Sequence, residues 1–182
     1  MIKRILLAIP LLIAGAVIVC LAVLFLTGPE QVWATLFGDP DLGPTRFEEL
    51  VLPDRPNHYL VCPPPLCAKA QAAQSSGTYA ADRATMIDTL TDAARALPNV
   101  RMINGPEPDD VRFIQRTRLM QFPDTVSIRV VEAAPGESQL AIYSRSQIGR
   151  SDLGVNKRRI EAFLADVDAR LAVRPAAAAD TN

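Results

Sequence analysis

Histidine is almost missing: His58 is the only one in 182 residues, and it sits between Asn57 and Tyr59 in a proline-rich stretch. A Ser-His-Asp relay would have to use that side chain, and no serine stands in a nucleophile-elbow pattern. A four-ligand metal site would need it together with Cys62 and Cys67 and still fall short. His58 therefore reads as a surface or linker residue, and no metal or other cofactor is expected. An excess of either charge is also lacking, with 19 Lys and Arg against 20 Asp and Glu and a net charge of -1. Long-range steering needs such an excess, so a nucleic-acid partner is set aside. There is no internal repeat and no second block of domain size, and the length suits a single core.

Hydrophobic residues make up 49% of the chain, and much of that excess lies at the start. Residues 5–26 carry no charge. At about 1.5 Å per residue, this run covers the ~30 Å hydrocarbon core of a bilayer. Lys3 and Arg4 precede it, whereas Glu30, Asp39 and Asp41 follow before the first basic residue, Arg46. The positive-inside bias then places the N-terminus in the cytoplasm and the rest outside. A cleaved signal peptide competes with an anchor, but its apolar region is shorter, and the small-x-small candidate Val32-Trp33-Ala34 lies far downstream. Cys20 reads as an apolar residue in lipid, because Val17-Ile18-Val19 lacks the small residue that lipoprotein processing needs. Pro29 at a helix start, with Val32, Trp33, Leu36 and Phe37 on one side, predicts a short interfacial helix with Trp33 as an aromatic-belt residue.

Fifteen prolines, concentrated between positions 29 and 65, predict an extended lead segment. Within it, Cys62-Pro63-Pro64-Pro65-Leu66-Cys67 allows a bridge, and an exported location makes oxidation the default. A structural disulfide is the simpler reading. A redox pair competes, although catalytic pairs usually have two intervening residues at a helix start.

Periodicity becomes readable from about Gly77. Asp82 caps a helix to Leu97, and Ile160, Phe163, Leu164, Val167 and Leu171 mark a final amphipathic helix with Asn156 as its N-cap. Strands are predicted at 100–104, 111–120, 125–132 and 138–147, with short connections and turns at Asn104-Gly105-Pro106, Phe122-Pro123-Asp124 and Pro135-Gly136. Val126, Ile128, Val130, Leu140 and Ile142 face inward. Ser127, Arg129, Tyr143 and Arg145 face away, and Arg112, Arg116 and Arg118 form a solvated face open to an acidic partner. Asp109-Asp110 reads as a turn, with no partner carboxylates for a metal or glycosidase pair.

The expected fold class is α+β: an N-terminal transmembrane helix, then one domain with an antiparallel sheet of about four strands flanked by two helices. The boundaries are an anchor at 1–27, a proline-rich juxtamembrane and linker segment at 28–80, the domain at 81–172 and a disordered tail at 173–182.

The segment Ala141-Ile142-Tyr143-Ser144-Arg145-Ser146-Gln147-Ile148-Gly149-Arg150-Ser151-Asp152-Leu153-Gly154-Val155-Asn156, followed by an amphipathic helix, resembles the domain-of-unknown-function family 1499. Phe122-Pro123-Asp124-Thr125-Val126-Ser127 and Tyr59-Leu60-Val61-Cys62-Pro63-Pro64 look like features of its alphaproteobacterial, membrane-anchored members. The likeness covers about residues 54–171. It implies domain limits and an envelope setting, and no catalytic residues.

Gly149 and Gly154 have the spacing of a phosphate-cradling loop, but Val155-Asn156 stands where such a loop needs Lys then Ser or Thr. What remains is a helix N-terminus with Arg145, Arg150, Ser151, Lys157 and Arg158 nearby, a candidate site for an anion. The alternative is a tight turn in which Gly149 and Gly154 supply positive φ, Asp152 bonds backbone amides, and the cations are solvated. The function expected is a non-catalytic binding or scaffold module, displayed in the periplasm from a bacterial inner membrane. Its expected partners are the membrane and an anionic ligand or envelope protein. An enzyme with an unfamiliar site and a thiol-redox protein are the alternatives.

Overall fold

The computed structural model describes the backbone of residues 2–105 and 110–173, with the side chains of all these except 2–8, 24, 25 and 173. Pro106 of the expected turn, Asp109 and residues 174–182 of the expected tail lie outside the described residues, whereas Val173, expected in the tail, ends the last helix. Helix α1 (Ile2–Thr27) is followed after Gly28 by α2 (Pro29–Phe37). An irregular strap with a 3-10 turn at Phe47–Glu49 leads to β1 (His58–Val61) and α3 (Arg83–Ala96). Four strands follow, β2 (Val100–Ile103), β3 (Asp110–Arg116), β4 (Pro123–Ala134) and β5 (Glu137–Ser146), and then α4 (Val155–Val173). The fold is α+β with one antiparallel sheet in the order β1-β5-β4-β3-β2.

Two expectations change here. The sheet has five strands rather than about four, because β1 forms inside the proline-rich segment and pairs with β5, His58 opposite Arg145 and Val61 opposite Ile142. Its prolines flank the strand without interrupting it, so no ladder donor is lost. Helix α1 has the expected position, yet among the described residues no helix is long and apolar enough to cross a membrane.

The inner face of the sheet is an aliphatic core. Met86, Leu90 and Ala93 of α3 and Ile160, Phe163 and Val167 of α4 pack on Val61, Phe113, Val126, Ile128, Leu140 and Ile142. Asp82 caps α3 by accepting the Thr85 amide proton at 2.8 Å, and the same bond holds its carboxyl below the usual range. Strand β3 ends at Arg116, short of the expected 120. Thr117 stops it, donating its amide to the Phe122 carbonyl and accepting the Phe122 amide on its hydroxyl, with Gln121 at φ 56° closing the turn.

The outer face is covered too, which the sequence pattern does not suggest. Residues 38–52 run across it as a strap, and Phe47 inserts beside Leu60, Ala141, Tyr143 and the Cys62–Cys67 bridge. Irregular backbone crossing a sheet needs partners for its polar groups. The sheet supplies them. Arg145 Nη2 donates to the carbonyls of Leu42 (2.7 Å) and Gly43 (2.8 Å), and Gln147 Nε2 donates to those of Phe37 and Asp39. Thr125 Oγ1 donates to the Pro40 carbonyl and accepts the Leu42 amide. Arg112, 3% exposed, pairs with Asp41 and donates to the Asn104 carbonyl, and Arg129 pairs with Asp110 and Glu48. Of the arginines expected on a solvated face, Arg112 is therefore buried and Arg116 is paired with Glu30 at 2.7 Å, leaving Arg118 exposed.

Candidate functional site

The loop between β5 and α4 hangs from a buried polar frame. Ser144, at the end of the inward row of β5, donates its hydroxyl to Asn156 Oδ1, and Asn156 Nδ2 donates to the Asn57 carbonyl (3.0 Å) and Ser146 Oγ (2.9 Å). Asn57 Nδ2 returns across the loop to the carbonyls of Ser146 and Gly149. Arg159, one turn before Phe163, makes four hydrogen bonds, to Gln115 Oε1, Ser144 Oγ, Asn156 Oδ1 and Asp124 Oδ2. Burial pushes the Asp124 carboxyl up, and Arg159 and the Ser146 hydroxyl pull against that. Nearly every donor here has an acceptor, so the cluster is a frame that fixes the loop rather than an open acid or base.

On that frame the loop makes one turn with a specific backbone. Gly149 has φ 94° and Gly154 φ 77°, where a Cβ is strained. The Asp152 carboxylate accepts the amides of Gly154 (3.0 Å) and Asn156 (2.7 Å), satisfying the first turn of α4. Asp152 is thus the capping side chain, and Asn156, expected there, lies inside the helix with its side chain buried in the frame. Ser151 Oγ accepts the Leu153 amide. Leu153 is left-handed at φ 52° and 84% exposed.

The expected cations separate. Arg150 is exposed beside Gly149, Lys157 is exposed with its Nζ 3.8 Å from Glu161, and Arg158 donates back to the Leu153 carbonyl. Arg145 lies on the outer face, bonded to the strap, and burial lowers its guanidinium pKa. Asn57, Asp124 and Arg159 were missed as site residues. The signal for Arg159 was a charge at i-4 from Phe163 on the apolar side of the last helix, which calls for a buried partner.

Cys62 and Cys67 are bridged, with Cα atoms 6.2 Å apart, and both residues are buried. The bridge borders a cleft of about 290 Å³ lined also by Pro64, Ala68, Ala72 and Gln74. His58 is half-buried against Tyr143, with ring centroids 5.8 Å apart. Among the described residues no group of three or more His, Cys, Asp or Glu is placed to hold a metal ion.

No curated protein and no solved structure matches the chain. A family model does match, over residues 51–167, which takes in β1, α3, α4 as far as residue 167 and the whole 149–156 loop, and covers more than half of the sequence. The chain belongs to the family described as protein of unknown function (DUF1499).

Proposed function

We propose that this chain is an exported binding module tethered to a bacterial inner membrane by α1, with the 149–156 loop as its recognition edge. The observation that carries the binding reading is Leu153. A leucine in the left-handed region costs of order 1–3 kcal/mol, and such strain persists where the surroundings over-determine it. Here the frame fixes it, and the outcome is an apolar side chain 84% exposed between the exposed cations Arg150 and Lys157. That set suits a ligand with an anionic group beside an apolar one. Arg145 contributes from the far side by holding the strap rather than by contact.

The setting rests on sequence. The uncharged run at 5–26, with Lys3 and Arg4 before it, supports a spanning α1, a cytoplasmic N-terminus and a periplasmic domain. The Cys62–Cys67 bridge agrees with an oxidising compartment. A reporter active only in the cytoplasm, fused after Asn182, is expected to be silent. Activity there, or a mature N-terminus near Thr35, overturns the topology. For the loop, Arg150→Glu with Lys157→Glu is expected to fail to rescue a deletion phenotype while shifting stability by under about 0.5 kcal/mol. Full rescue by a folded double variant removes the binding edge.

A thiol-redox reading has one observation in its favour, the cleft beside the bridge. Ready, reversible reduction of native protein by a mild dithiol, with no loss of fold, would favour it over the structural bridge.

A further inference from the structure

We propose that the end of the domain carrying α2 and the β3–β4 turn lies flat on the bilayer, with Leu36, Phe37, Leu119 and Met120 in the headgroup layer and Arg118 on the phosphates of anionic phospholipid. This rests on the reading of α1 as the anchor. Only Gly28 separates α1 from α2, so α2, roughly 13 Å long, begins where the span leaves the membrane. Helix α2 is clamped to the β3–β4 turn. Trp33 Nε1 donates to the Met120 carbonyl at 2.6 Å, its ring lies 4.9 Å from that of Phe122, and Glu30 pairs with Arg116 at 2.7 Å. Gln147 holds the far end of α2 through the Phe37 carbonyl. The turn is therefore held against the first residues of α2, next to the membrane exit.

What the turn shows there is apolar. Leu119 is 88% exposed and Met120 is exposed beside it; on α2, Phe37 is exposed next to Trp33, and Leu36 is exposed on the side that forms a cleft with Val23 and Thr27 of α1. Clustered exposed apolar side chains mark an interaction surface, and the surface continuous with this one is the bilayer. Trp33 is then both a packing residue and the belt residue expected from its position. Behind the tip, a cleft of about 500 Å³ is lined by Asn99, Gln115, Arg116, Arg118 and Gln121. Glu30 takes the charge of Arg116, whereas Arg118 is exposed and makes no ion pair among the described residues, which leaves it for a lipid phosphate.

The test places an environment-sensitive fluorophore on Leu119→Cys or on Glu137→Cys, each in the full chain with Cys20→Ser, in nanodiscs containing brominated lipid. Glu137 begins β5 at the opposite end of the 12-residue β4, roughly 40 Å away. The proposal expects quenching at position 119 and none at 137, with quenching at 119 greater in phosphatidylglycerol than in phosphatidylcholine discs. Arg118→Glu should remove that lipid preference without changing Tm. Equal emission at both positions in protein that resists alkaline carbonate extraction overturns the proposal and leaves the anchor standing. Extraction by carbonate overturns the anchor, and the proposal with it. Quenching at 119 that ignores headgroup charge overturns the role of Arg118.

Discussion

The two faces of the sheet are both buried, by opposite chemistry. On the inner face, α3 and α4 bring helical backbone whose polar groups are already satisfied, so the strands opposite can be aliphatic: Val126, Ile128, Leu140 and Ile142. On the outer face, the cover is a strap with little regular structure, and its free carbonyls must be met from the sheet. Thr125, Arg145 and Gln147 meet them, and Arg112 pairs with the carboxylate of Asp41 in the strap. A polar row on a strand thus means either water or a covering backbone that asks for donors, and burial alone separates the two.

The contrast predicts different penalties for damage on each side. Phe163→Ala opens a cavity against Phe113, whose ring lies 5.9 Å away, and should cost about 3–5 kcal/mol in urea unfolding. Arg112→Met removes donors from the Asn104 carbonyl and Asp41, but Asp41 is already 29% exposed and can recover water. A loss of about 1–3 kcal/mol is expected, with Asp41→Asn adding less on the Arg112→Met background than alone. A larger penalty for Arg112 than for Phe163 would mean that the strap, not the helical layer, dominates stability.

Much of the inner face was legible in the sequence and almost none of the outer. The stripes of α3 and α4 and the alternation of β4 and β5 come from a period that one buried side imposes. Strand β1 escaped because four residues among prolines carry no usable period. Ser127, Tyr143 and Arg145 alternate with the core positions just as solvated residues do, so their burial had no local signature. Asp124 resembled a breaker because Pro123 precedes it. Gly149, Asp152 and Gly154 were readable because each type answers a single local demand of backbone geometry, whereas Asn57 reaches the loop from 92 positions away.

A smaller effect separates the faces by pH. Tyr79 borders the inner core, and burial, then Asp168, pushes its phenol up to about 12. An unfolded tyrosine ionises near pH 10. Its folded pKa is raised, so this contribution is complete below about pH 10 and is lost as pH rises through about 12. Tyr79→Phe should flatten the alkaline decline of Tm. An unchanged decline would assign it elsewhere, to the outer face if Tyr143→Phe flattens it instead, since burial raises that phenol as well.

The seal that the strap forms over the polar face of the sheet is open to thiol labelling. Ser127 is 3% exposed beneath the strap and its hydroxyl has no hydrogen-bond partner among the described residues, so Ser127→Cys disturbs little. In a Cys20→Ser background, with Cys62 and Cys67 bridged, the new thiol reports on its own. A sealed face requires labelling of native protein slower than that of an exposed Arg118→Cys control by a factor of about 10³ or more, the range set by unfolding equilibria. Labelling of Cys at position 127 as fast as the control would show that the face is open to water and that the strap does not seal it.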